Sequence, residues 1–460
     1  MIDNKRPVDD RLISAISYDC SATVHFVGVG GVSMYSLAVL TRRRGAKVSG
    51  SDRDDGPRLD TLRGMGIDVS VGHATSYIDT ASLVVYSQAI PPDDPERLRA
   101  AELSIPTVSR AEYLGAIMQD YSVRIGVSGS HGKSTATAML DAIFGYADYR
   151  HTTLSGADLT FGSPYRLGEV DLLIYEACEY KDSFLSFHPT VAIALNLELD
   201  HTDYFEGLDA LKASFATSLG AVEDLVIING DDENLAAIVR GLKCRVITYG
   251  SGAECDYRFT IDGFSNGYDF SVYRYGSRLD SFHLEIPGAF NLYNATAAIA
   301  AAIEQGISIS MVREAISAYH GIHGRLEYIG SHFGRPVYLD YAHHPTEIAA
   351  SISALRERNN SPITVVFMPH TYSRTASLWD GFVSSLSLAD SVVVMDIFPA
   401  REQPIVGITS PRLASDIGRM ALYATGESII DVIDGLTDGT IVLMGAGNYD
   451  KIKKKLIKGL

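Results

Sequence analysis

The sequence predicts an α/β protein of roughly three domains, and three observations carry this prediction. At 460 residues the chain is too long for one compact core. Two stretches, 23–40 and 121–143, each combine a short strand, a glycine-rich turn and a helix. A third set of apolar strands begins at residue 337 and alternates with helical segments. Such alternation is typical of parallel sheets covered by helices.

The central glycine-rich stretch, 126–135, has the sequence GVSGSHGKST, a shortened GxxGKST form of a phosphate-binding loop. Glycines let consecutive backbone N–H groups turn toward an anion, and the following helix N-terminus adds the positive end of its dipole. Lys133 would reach the terminal phosphates, and the hydroxyl of Ser134 or Thr135 would hold Mg²⁺. We therefore predict a nucleotide-phosphate site; the alternative is a turn that only caps a helix.

The N-terminal glycine turn, Gly28, Gly30 and Gly31, lies in a βαβ unit whose second strand ends at Asp52. This arrangement places a diphosphate at a helix N-terminus. Ser33 replaces the third glycine of GxGxxG, and a second phosphate loop follows, so we expect a nucleotide diphosphate bound without redox chemistry. A tight structural turn is the alternative. The strand 83–86 runs into Ser87, which by itself indicates only a strand exit.

Carboxylates and a histidine follow two further strands. Glu176 ends the strand 171–176 and is predicted to order Mg²⁺ beside the phosphate loop. Glu179 is predicted to be a solvated turn residue, and Cys178 a small packing residue. His201, after the strand 190–196, is predicted to bind a metal directly or through water. Residues 245–286 predict an antiparallel annex of short strands.

Later polar groups predict recognition of a nucleoside and of a substrate carboxylate. Asn291 and Asn294 share one helix face and would bind a base or ribose, or else serve as a cap and a surface residue. Adjacent histidines point in different directions, so at most one of His343 and His344 serves a site, and we favour His343. Arg374, after the strand 363–368, could hold a carboxylate in a two-pronged contact.

Composition excludes several classes of protein. The net charge of −17 argues against a nucleic-acid partner. The four cysteines form no CxxC pair, which indicates neither a disulfide framework nor a zinc site and suits a reducing compartment. The polar N-terminus and the lack of any run of about 18 apolar residues predict no signal peptide and no membrane insertion, and hence a cytoplasmic protein.

The motifs, in chain order, resemble those of the Mur ligase family, ATP-dependent amide-forming enzymes of peptidoglycan synthesis, over nearly the whole chain. They are HFVGVGG from 25, GSD from 50, the loop 129–135, EACEY from 176, Asp200 with His201, Pro287-Gly288 with Asn291 and Asn294, DYAHHP from 340, PHTYSRT from 369 and GAGN from 445. Within the family the chain is most similar to the branch that joins L-alanine to UDP-N-acetylmuramate.

The resemblance implies a Rossmann-like UDP-sugar domain (1–118), a central ATP-binding domain with a mixed sheet (119–323) and a Rossmann-like amino-acid domain (324–460). It implies ATP and Mg²⁺ as cofactors, and UDP-N-acetylmuramate and L-alanine as substrates. ATP would phosphorylate the lactyl carboxylate, and the amine of L-alanine would attack the acyl phosphate. The alternatives are a recycling ligase that uses a tripeptide and a non-catalytic nucleotide-binding relative.

The resemblance also assigns residues to roles. The implied ATP-binding residues are Gly129, Ser130, His131, Gly132, Lys133, Ser134, Thr135, Asn291, Asn294 and Asp340; the metal-binding residues are Ser134, Glu176 and His201; the catalytic residues are Lys133, Glu176, His201, Arg325, His343 and Arg374; and the substrate-binding residues are Gly28, Gly30, Gly31, Asp52, Ser87, His370 and Arg374. Arg325 falls in a stretch, 321–330, that is predicted to be a linker. The chain departs from the family at Thr371, where many relatives carry arginine, and at Phe215, where several carry a carbamylated lysine.

Overall fold

The computed structural model describes residues 8–358, 360–400, 402–436 and 439–457. The outermost ends of the first and last predicted domains, 1–7 and 458–460, lie outside the described residues. The described chain forms three β-sheets of five, ten and six strands, which follow one another in sequence. The predicted α/β class with three successive sheet units is confirmed.

The N-terminal region contains a five-stranded sheet. Its elements are α1 (Asp10–Tyr18), β1 (Thr23–Val27), α2 (Val32–Arg44), β2 (Lys47–Asp52), α3 (Pro57–Gly64), β3 (Asp68–Val71), α4 (Thr75–Ile78), β4 (Leu83–Tyr86), α5 (Pro95–Glu102), β5 (Thr107–Ser109) and α6 (Arg110–Met118). The strands pair in parallel in the order β3-β2-β1-β4-β5. The strand order reverses between β1 and β4, and such a switch point opens a ligand crevice at the carboxyl ends of the strands.

The middle region contains the ten-stranded sheet. Its elements are β6 (Val123–Ser128), α7 (Lys133–Tyr146), β7 (Thr152–Leu154), β8 (Tyr165–Arg166), β9 (Leu172–Glu176), a 3-10 helix (Tyr180–Ser186), β10 (Val191–Ala194), α8 (Leu208–Gly220), β11 (Leu225–Asn229), α9 (Glu233–Ile238), β12 (Arg245–Gly250), β13 (Tyr257–Phe264), β14 (Tyr268–Arg274), β15 (Ser277–Leu284), α10 (Phe290–Glu304) and α11 (Ile309–Ser317). The phosphate loop joins β6 to α7, as predicted.

The sheet is mixed, in the order β15-β14-β13-β12-β11-β10-β6-β9-β7-β8. The segment 245–286 is only partly the predicted antiparallel annex, because β12 pairs in parallel with β11 and extends the main sheet, while β13–β15 form the antiparallel hairpins. Helix α10 packs beside α7 through an alanine-rich surface that is fully buried. Small side chains let the two helices approach closely, which brings the start of α10 next to the phosphate loop.

The C-terminal region contains the six-stranded sheet. Its elements are β16 (Glu327–His332), β17 (Arg335–Asp340), α12 (Pro345–Arg358), β18 (Ile363–Phe367), α13 (Tyr372–Ser377), α14 (Trp379–Leu386), β19 (Ser391–Val394), α15 (Ser410–Ile417), β20 (Ala421–Tyr423), α16 (Ile429–Asp434), β21 (Thr440–Met444) and α17 (Asp450–Leu456). The order is β16-β17-β21-β18-β19-β20, with only β16 antiparallel among the described strands.

The predicted linker at 321–330 is wrong in its second half. Residues from Glu327 onward form β16, which pairs with β17 in a hairpin whose register shifts once. The shift between Tyr328 and Gly330 disturbs the alternation of apolar and polar residues, which explains why the sequence pattern does not indicate a strand here. Within the described ranges, no helix is long and apolar enough to cross a membrane.

Candidate active site

The phosphate loop enters α7 through Gly132, which has a φ of 84°. L-residues with a side chain rarely adopt this left-handed conformation. A Cβ at Gly132 would also lie 2.6 Å from Asn294 Oδ1 on the neighbouring helix α10. The loop backbone therefore passes directly against Asn294, and the first N–H groups of α7 are left available for an anion.

Lys133, the first residue of α7, forms a buried ion pair with Glu179. Its Nζ lies 3.0 Å from Oε2 and 3.1 Å from Oε1 of Glu179, and it also donates to the carbonyl oxygens of Gly129 and Ser130. Burial alone would lower the pKa of Lys133, but the Glu179 carboxylate outweighs burial and raises the pKa to about 12. Lys133 is therefore a cation held in place by the loop and by Glu179.

The prediction that Glu179 is a solvated turn residue is wrong. Its side chain is 1% exposed, because the 3-10 helix that follows β9 turns it inward toward the phosphate loop. Burial acts to raise the pKa of Glu179, yet Lys133 and His201 lower it below its usual value. Only the spacing from Glu176, three residues earlier at the strand end, could have indicated this position from the sequence.

Glu176 occupies the end of β9, as predicted, and lies beside the segment that follows β7. Its Oε1 accepts hydrogen bonds from Gly156 N at 2.5 Å and from Ser155 Oγ at 3.0 Å. These bonds fix the carboxylate at the edge of the cleft that the phosphate loop also lines. The other carboxylate oxygen, Oε2, takes no part in these bonds.

His201 lies near the carboxylates of Glu179 and Asp200. Its backbone has a left-handed φ of 54°. Its Nε2 lies 3.4 Å from Glu179 Oε1 and 3.8 Å from Asp200 Oδ2, and its ring packs on Tyr180 with centroids 4.6 Å apart. Asp200 in turn accepts from Arg374 Nη2 at 3.0 Å, which links the middle and C-terminal regions. Burial opposes ionisation of Asp200, but Arg374 and His201 hold its pKa well below the usual range.

A further cavity borders the phosphate loop. Its volume is about 240 Å³, and its walls combine loop residues with α10 and the C-terminal region. The predicted ATP-binding residues that line it are His131, Gly132, Thr135, Asn291, Asn294 and Asp340, together with Arg325. Asn294 Nδ2 donates to Asn291 Oδ1 at 3.0 Å, and Asn291 Nδ2 donates to Pro287 O at 2.8 Å. Both asparagines are buried, so neither is a surface residue.

Glu347, in the first turn of α12, ties the C-terminal region to the phosphate loop. Its Oε1 lies 3.0 Å from His131 Nδ1, and its Oε2 accepts from the N–H groups of His343 at 2.9 Å and His344 at 3.2 Å. Burial lowers the pKa of His131, but Glu198 and Glu347 together raise it to about 9. His131 is therefore charged at neutral pH and bridges two regions.

The two adjacent histidines lie in different surroundings. His343 lines the central cleft, and its Nδ1 lies 2.9 Å from Tyr341 O. Burial lowers the pKa of His343 to about 4, so it is neutral at pH 7. His344 caps α12, since Thr346 N donates to its Nδ1 at 3.4 Å, and its ring packs against His131.

Arg325 lies at the junction of the middle and C-terminal regions. Its Nη2 is 3.5 Å from Ser134 Oγ on the phosphate loop, and its guanidinium lies over the Tyr341 ring. Asp340 is buried nearby, and burial raises its pKa to about 6. Arg325 therefore reaches the phosphate loop from the junction of the two regions, and it lines both the cavity bordered by Asn291 and Asn294 and the cleft that contains Lys133.

The N-terminal sheet carries its own cavity of about 630 Å³ at the carboxyl ends of β1, β2 and β4. The predicted substrate residues Gly28, Gly30, Gly31, Asp52 and Ser87 all line it. Asp52 Oδ2 accepts from Gly30 N at 2.8 Å, which holds the glycine turn closed against the end of β2. A Cβ at Gly30 would lie 2.9 Å from that same oxygen.

A central cleft of about 580 Å³ brings the predicted catalytic residues together from both sides. Those that line it are Lys133, Ser134, Glu176, His201, Arg325 and His343. His370 and Arg374 are not among its lining residues. Arg374 reaches this region only through Asp200, and His370 stacks on Phe398 while its Nδ1 is buried without a hydrogen-bond partner among the described residues.

Sequence reasoning missed four acidic or amide groups of the site: Glu179, Asn196, Glu198 and Glu347. Asn196 exchanges two hydrogen bonds with the His131 backbone, at 2.8 and 3.0 Å, and Glu198 accepts from Thr346 Oγ1 at 2.9 Å. Only their positions in the sequence could have indicated these four residues, since each follows a strand or opens a helix beside a predicted motif. Which partner they face depends on how the regions pack.

Family models match most of the chain in three consecutive segments. The Mur ligase family catalytic domain matches residues 23–122, the Mur ligase middle domain matches 127–302, and the Mur ligase glutamate ligase domain matches 324–447. The segments follow the same order as the three sheets.

Curated relatives match over nearly their full length. The UDP-N-acetylmuramate--L-alanine ligase of Clostridium acetobutylicum is 38% identical over 448 residues, which covers 94% of this chain and 97% of that protein. The protein of the same name from Caldicellulosiruptor saccharolyticus is 39% identical over 436 residues, covering 92% and 96%.

Solved structures share the fold. The UDP-N-acetylmuramate-alanine ligase of Thermotoga maritima superposes with a TM-score of 0.80 at 24% identity, over 94% of this chain and 98% of that one. A murein peptide ligase from Psychrobacter arcticus gives a TM-score of 0.72 at 22% identity, over 95% and 98%.

Three successive α/β sheets, the middle one with a phosphate loop between β6 and α7, are typical of the class of nucleotide-binding proteins. With the family models and the relatives above, the particular family follows. The chain belongs to the Mur ligase family. It is an ATP-dependent, ADP-forming ligase of an acid and an amine.

Proposed function

We propose that this protein joins L-alanine to the lactyl carboxylate of UDP-N-acetylmuramate, through an acyl phosphate, in peptidoglycan synthesis. The observation that carries the proposal is the central cleft, where the phosphate loop meets residues from the C-terminal region and adjoins the N-terminal crevice. The names of the curated relatives, at 35–39% identity over more than nine tenths of the chain, support the choice of substrates. Because both nucleotide substrates are cytoplasmic metabolites, the proposal includes a cytoplasmic location.

The proposal divides the chain into the three domains 1–118, 119–323 and 324–460, one for each substrate. The glycine turn with Asp52 and Ser87 would hold the UDP-sugar. Asn291, Asn294 and Asp340 would contact the nucleoside of ATP. His370 and Arg374 would bind the amino acid, with Arg374 exchanging Asp200 for the carboxylate of L-alanine.

The phosphate loop fits the phosphates of ATP, because Gly132 leaves the N-terminus of α7 uncovered and a Cβ there would strike Asn294. The Ser134 hydroxyl and the Glu176 carboxylate are hard oxygen donors, which suit Mg²⁺, and His201 would act through water. Mg²⁺ bound there would neutralise charge on the phosphates.

The chain's own residues then account for the transfer by positioning and charge. Lys133, fixed by Glu179 and two carbonyl oxygens, would hold the γ-phosphate in line with the incoming carboxylate. Arg325 would approach the same phosphate from the domain junction. Neutral His343, with Nδ1 donating to Tyr341 O, keeps Nε2 as an acceptor for a hydrogen bond from the attacking amine.

The test is phosphate release with UDP-N-acetylmuramate, ATP and Mg²⁺ and a panel of amines: L-alanine, glycine, L-serine and L-alanyl-γ-D-glutamyl-meso-diaminopimelate. We expect release that depends on L-alanine and is lost in Lys133→Ala. Release that requires the tripeptide and is silent with L-alanine would show a recycling ligase instead. A Lys133→Ala protein that kept its full biological role would show a non-catalytic relative.

A further inference from the structure

A fourth cavity, of about 280 Å³, connects the N-terminal crevice with the phosphate loop. Its lining from the N-terminal region includes Ser33, Ser87 and Gln88, and its lining from the middle region includes Lys133, Gly156 and Glu176. Ser87 also lines the N-terminal crevice, while Lys133 and Glu176 also line the central cleft. A molecule anchored in the N-terminal crevice would have to cross this connecting cavity to reach the phosphate loop.

Arg110 lies in the wall of the connecting cavity, on a backbone that is fixed locally. It is the first residue of α6, directly after the N-cap Ser109. Ser109 N donates to Glu112 Oε2 at 2.6 Å, and Glu112 N donates to Ser109 Oγ at 3.2 Å, so a complete capping box holds the helix start. The origin of the Arg110 side chain is therefore well defined.

The Arg110 guanidinium has no acceptor of its own. None of the hydrogen bonds or ion pairs within the described part of the chain involves this group, although it is half-buried. Arg44 in the same region is different, because it bonds Asp120, Ser17 and the carbonyl of Ile117. A planar fork of five N–H donors facing a cavity is stable there only with an anion or water to accept them.

An anionic ligand in the connecting cavity would lie near both the Arg110 guanidinium and the Glu176 carboxylate. Burial lowers the pKa of Arg110, and the nearby Cys178 and Glu176 partly offset this effect. Glu176 would repel a second carboxylate entering the cavity. The Arg110 guanidinium, which lines the same cavity, would offset that repulsion and could offer two parallel N–H groups to both carboxylate oxygens.

We propose that Arg110 binds the lactyl carboxylate of UDP-N-acetylmuramate and presents it to the phosphate held by Lys133, an inference that rests on the function proposed above. The glycine turn at Gly28–Gly31 lines the N-terminal crevice and would serve the diphosphate. Arg110 lines the connecting cavity together with Lys133, and the reacting end of the same substrate must arrive in this cavity. It is then a substrate-binding residue that selects for the acid.

The test compares UDP-N-acetylmuramate with UDP-N-acetylglucosamine, which lacks the 3-O-lactyl group and with it the carboxylate, on wild type and Arg110→Met by calorimetry without ATP or amine. Loss of a charge-assisted bond predicts a fall of about 10- to 100-fold in affinity for the acid. Affinity for the sugar without the carboxylate should stay within about twofold. Arg110→Lys should show an intermediate loss, because lysine keeps the charge but not the fork.

Arg99→Met serves as the control, since Arg99 pairs with Asp79 and Glu102 on the surface of α5 away from both cavities. Equal losses for both ligands, or no loss for either, would overturn the proposal, and if Arg110→Met does not fold, Arg110→Lys decides alone. Failure of the proposed function is separate: it would appear as a wild-type protein that does not prefer the acid and releases no phosphate with L-alanine.

Discussion

Replacing Glu179 by glutamine removes the charge that neutralises Lys133 and nearly preserves the shape of the side chain. The two side chains are 1% and 15% exposed, and both carboxylate oxygens lie within 3.1 Å of Lys133 Nζ. Glutamine keeps one oxygen that can accept from Lys133, but it leaves a cation in a site that disfavours charge. The pKa of Lys133 should then fall from about 12, because burial acts without the carboxylate.

The size of the effect follows from the burial of the pair. Removal of one partner from a buried ion pair costs roughly 3–5 kcal/mol in the free energy of unfolding. Because glutamine retains an acceptor and the phosphate-loop carbonyls still bond Lys133, we expect a loss near the lower end, about 3 kcal/mol. A double variant, Lys133→Met with Glu179→Gln, should recover most of that loss, since it removes the unpaired charge.

Urea unfolding of the middle domain is the assay. The single tryptophan, Trp379, lies in the C-terminal region, so tryptophan fluorescence would not report on this domain and pulse proteolysis should be used. The matched control is Glu223→Gln in the pair with Arg124 at 2.6 Å, whose carboxylate is 55% exposed. Because Glu223 is exposed, losing its charge should lower the free energy of unfolding by only about 0–1 kcal/mol.

Two results would refute this reasoning about Glu179. One is a Glu179→Gln variant no less stable than Glu223→Gln, which would mean that Lys133 is not effectively buried. The other is a double variant as unstable as the single one, which would assign the loss to packing around Glu179 rather than to charge.

Three further outcomes are expected. Arg374→Ala should raise KM for L-alanine at least tenfold with little change in KM for ATP, because a lost charge-assisted contact affects only the ligand it holds. Steady-state kinetics measure both constants, and equal changes in the two would contradict the role of Arg374. Gly30→Ala should raise KM for the UDP-sugar about tenfold, because its Cβ would lie 2.9 Å from an Asp52 oxygen. Gly64→Ala is the control and should leave this KM unchanged, because its Cβ would have no atom within 4 Å. Similar KM values for the two variants would contradict the assignment of the glycine turn to the UDP-sugar. His131, with a pKa raised to about 9 by two carboxylates against the effect of burial, stabilises the fold fully below about pH 6.5 and loses that contribution as pH rises through 9. The melting temperature of wild type should therefore fall more steeply from pH 7 to 9.5 than that of His131→Gln, and parallel curves would contradict the ion pairs.

Local patterns were sufficient to predict the three sheets and the main motifs. The phosphate loop and the βαβ unit ending at Asp52 each depend on residues close in sequence, and each appears where the pattern indicated. The errors arose where pairing or packing overrides local pattern. Strand β16 contains a register shift, and β12 joins a parallel sheet because of a partner, β11, that periodicity does not reveal.

The candidate site was predictable in its residue types but not in its partners. Lys133 and Glu176 follow from their positions at a helix start and a strand end. The pairing of Lys133 with Glu179, and of Arg374 with Asp200, depends on a 3-10 turn and on contact between regions 174 residues apart. No local pattern carries this information, since long-range packing determines which carboxylate each cation meets.

Transfer of oxygen from the substrate to phosphate tests the central claim most directly. UDP-N-acetylmuramate labelled with ¹⁸O in its lactyl carboxylate would be turned over with ATP, Mg²⁺ and L-alanine, and the released phosphate analysed by mass spectrometry. Attack of the carboxylate on the γ-phosphate predicts one ¹⁸O atom in each phosphate released. Complete turnover that yields unlabelled phosphate would contradict an acyl phosphate and the role proposed for the central cleft.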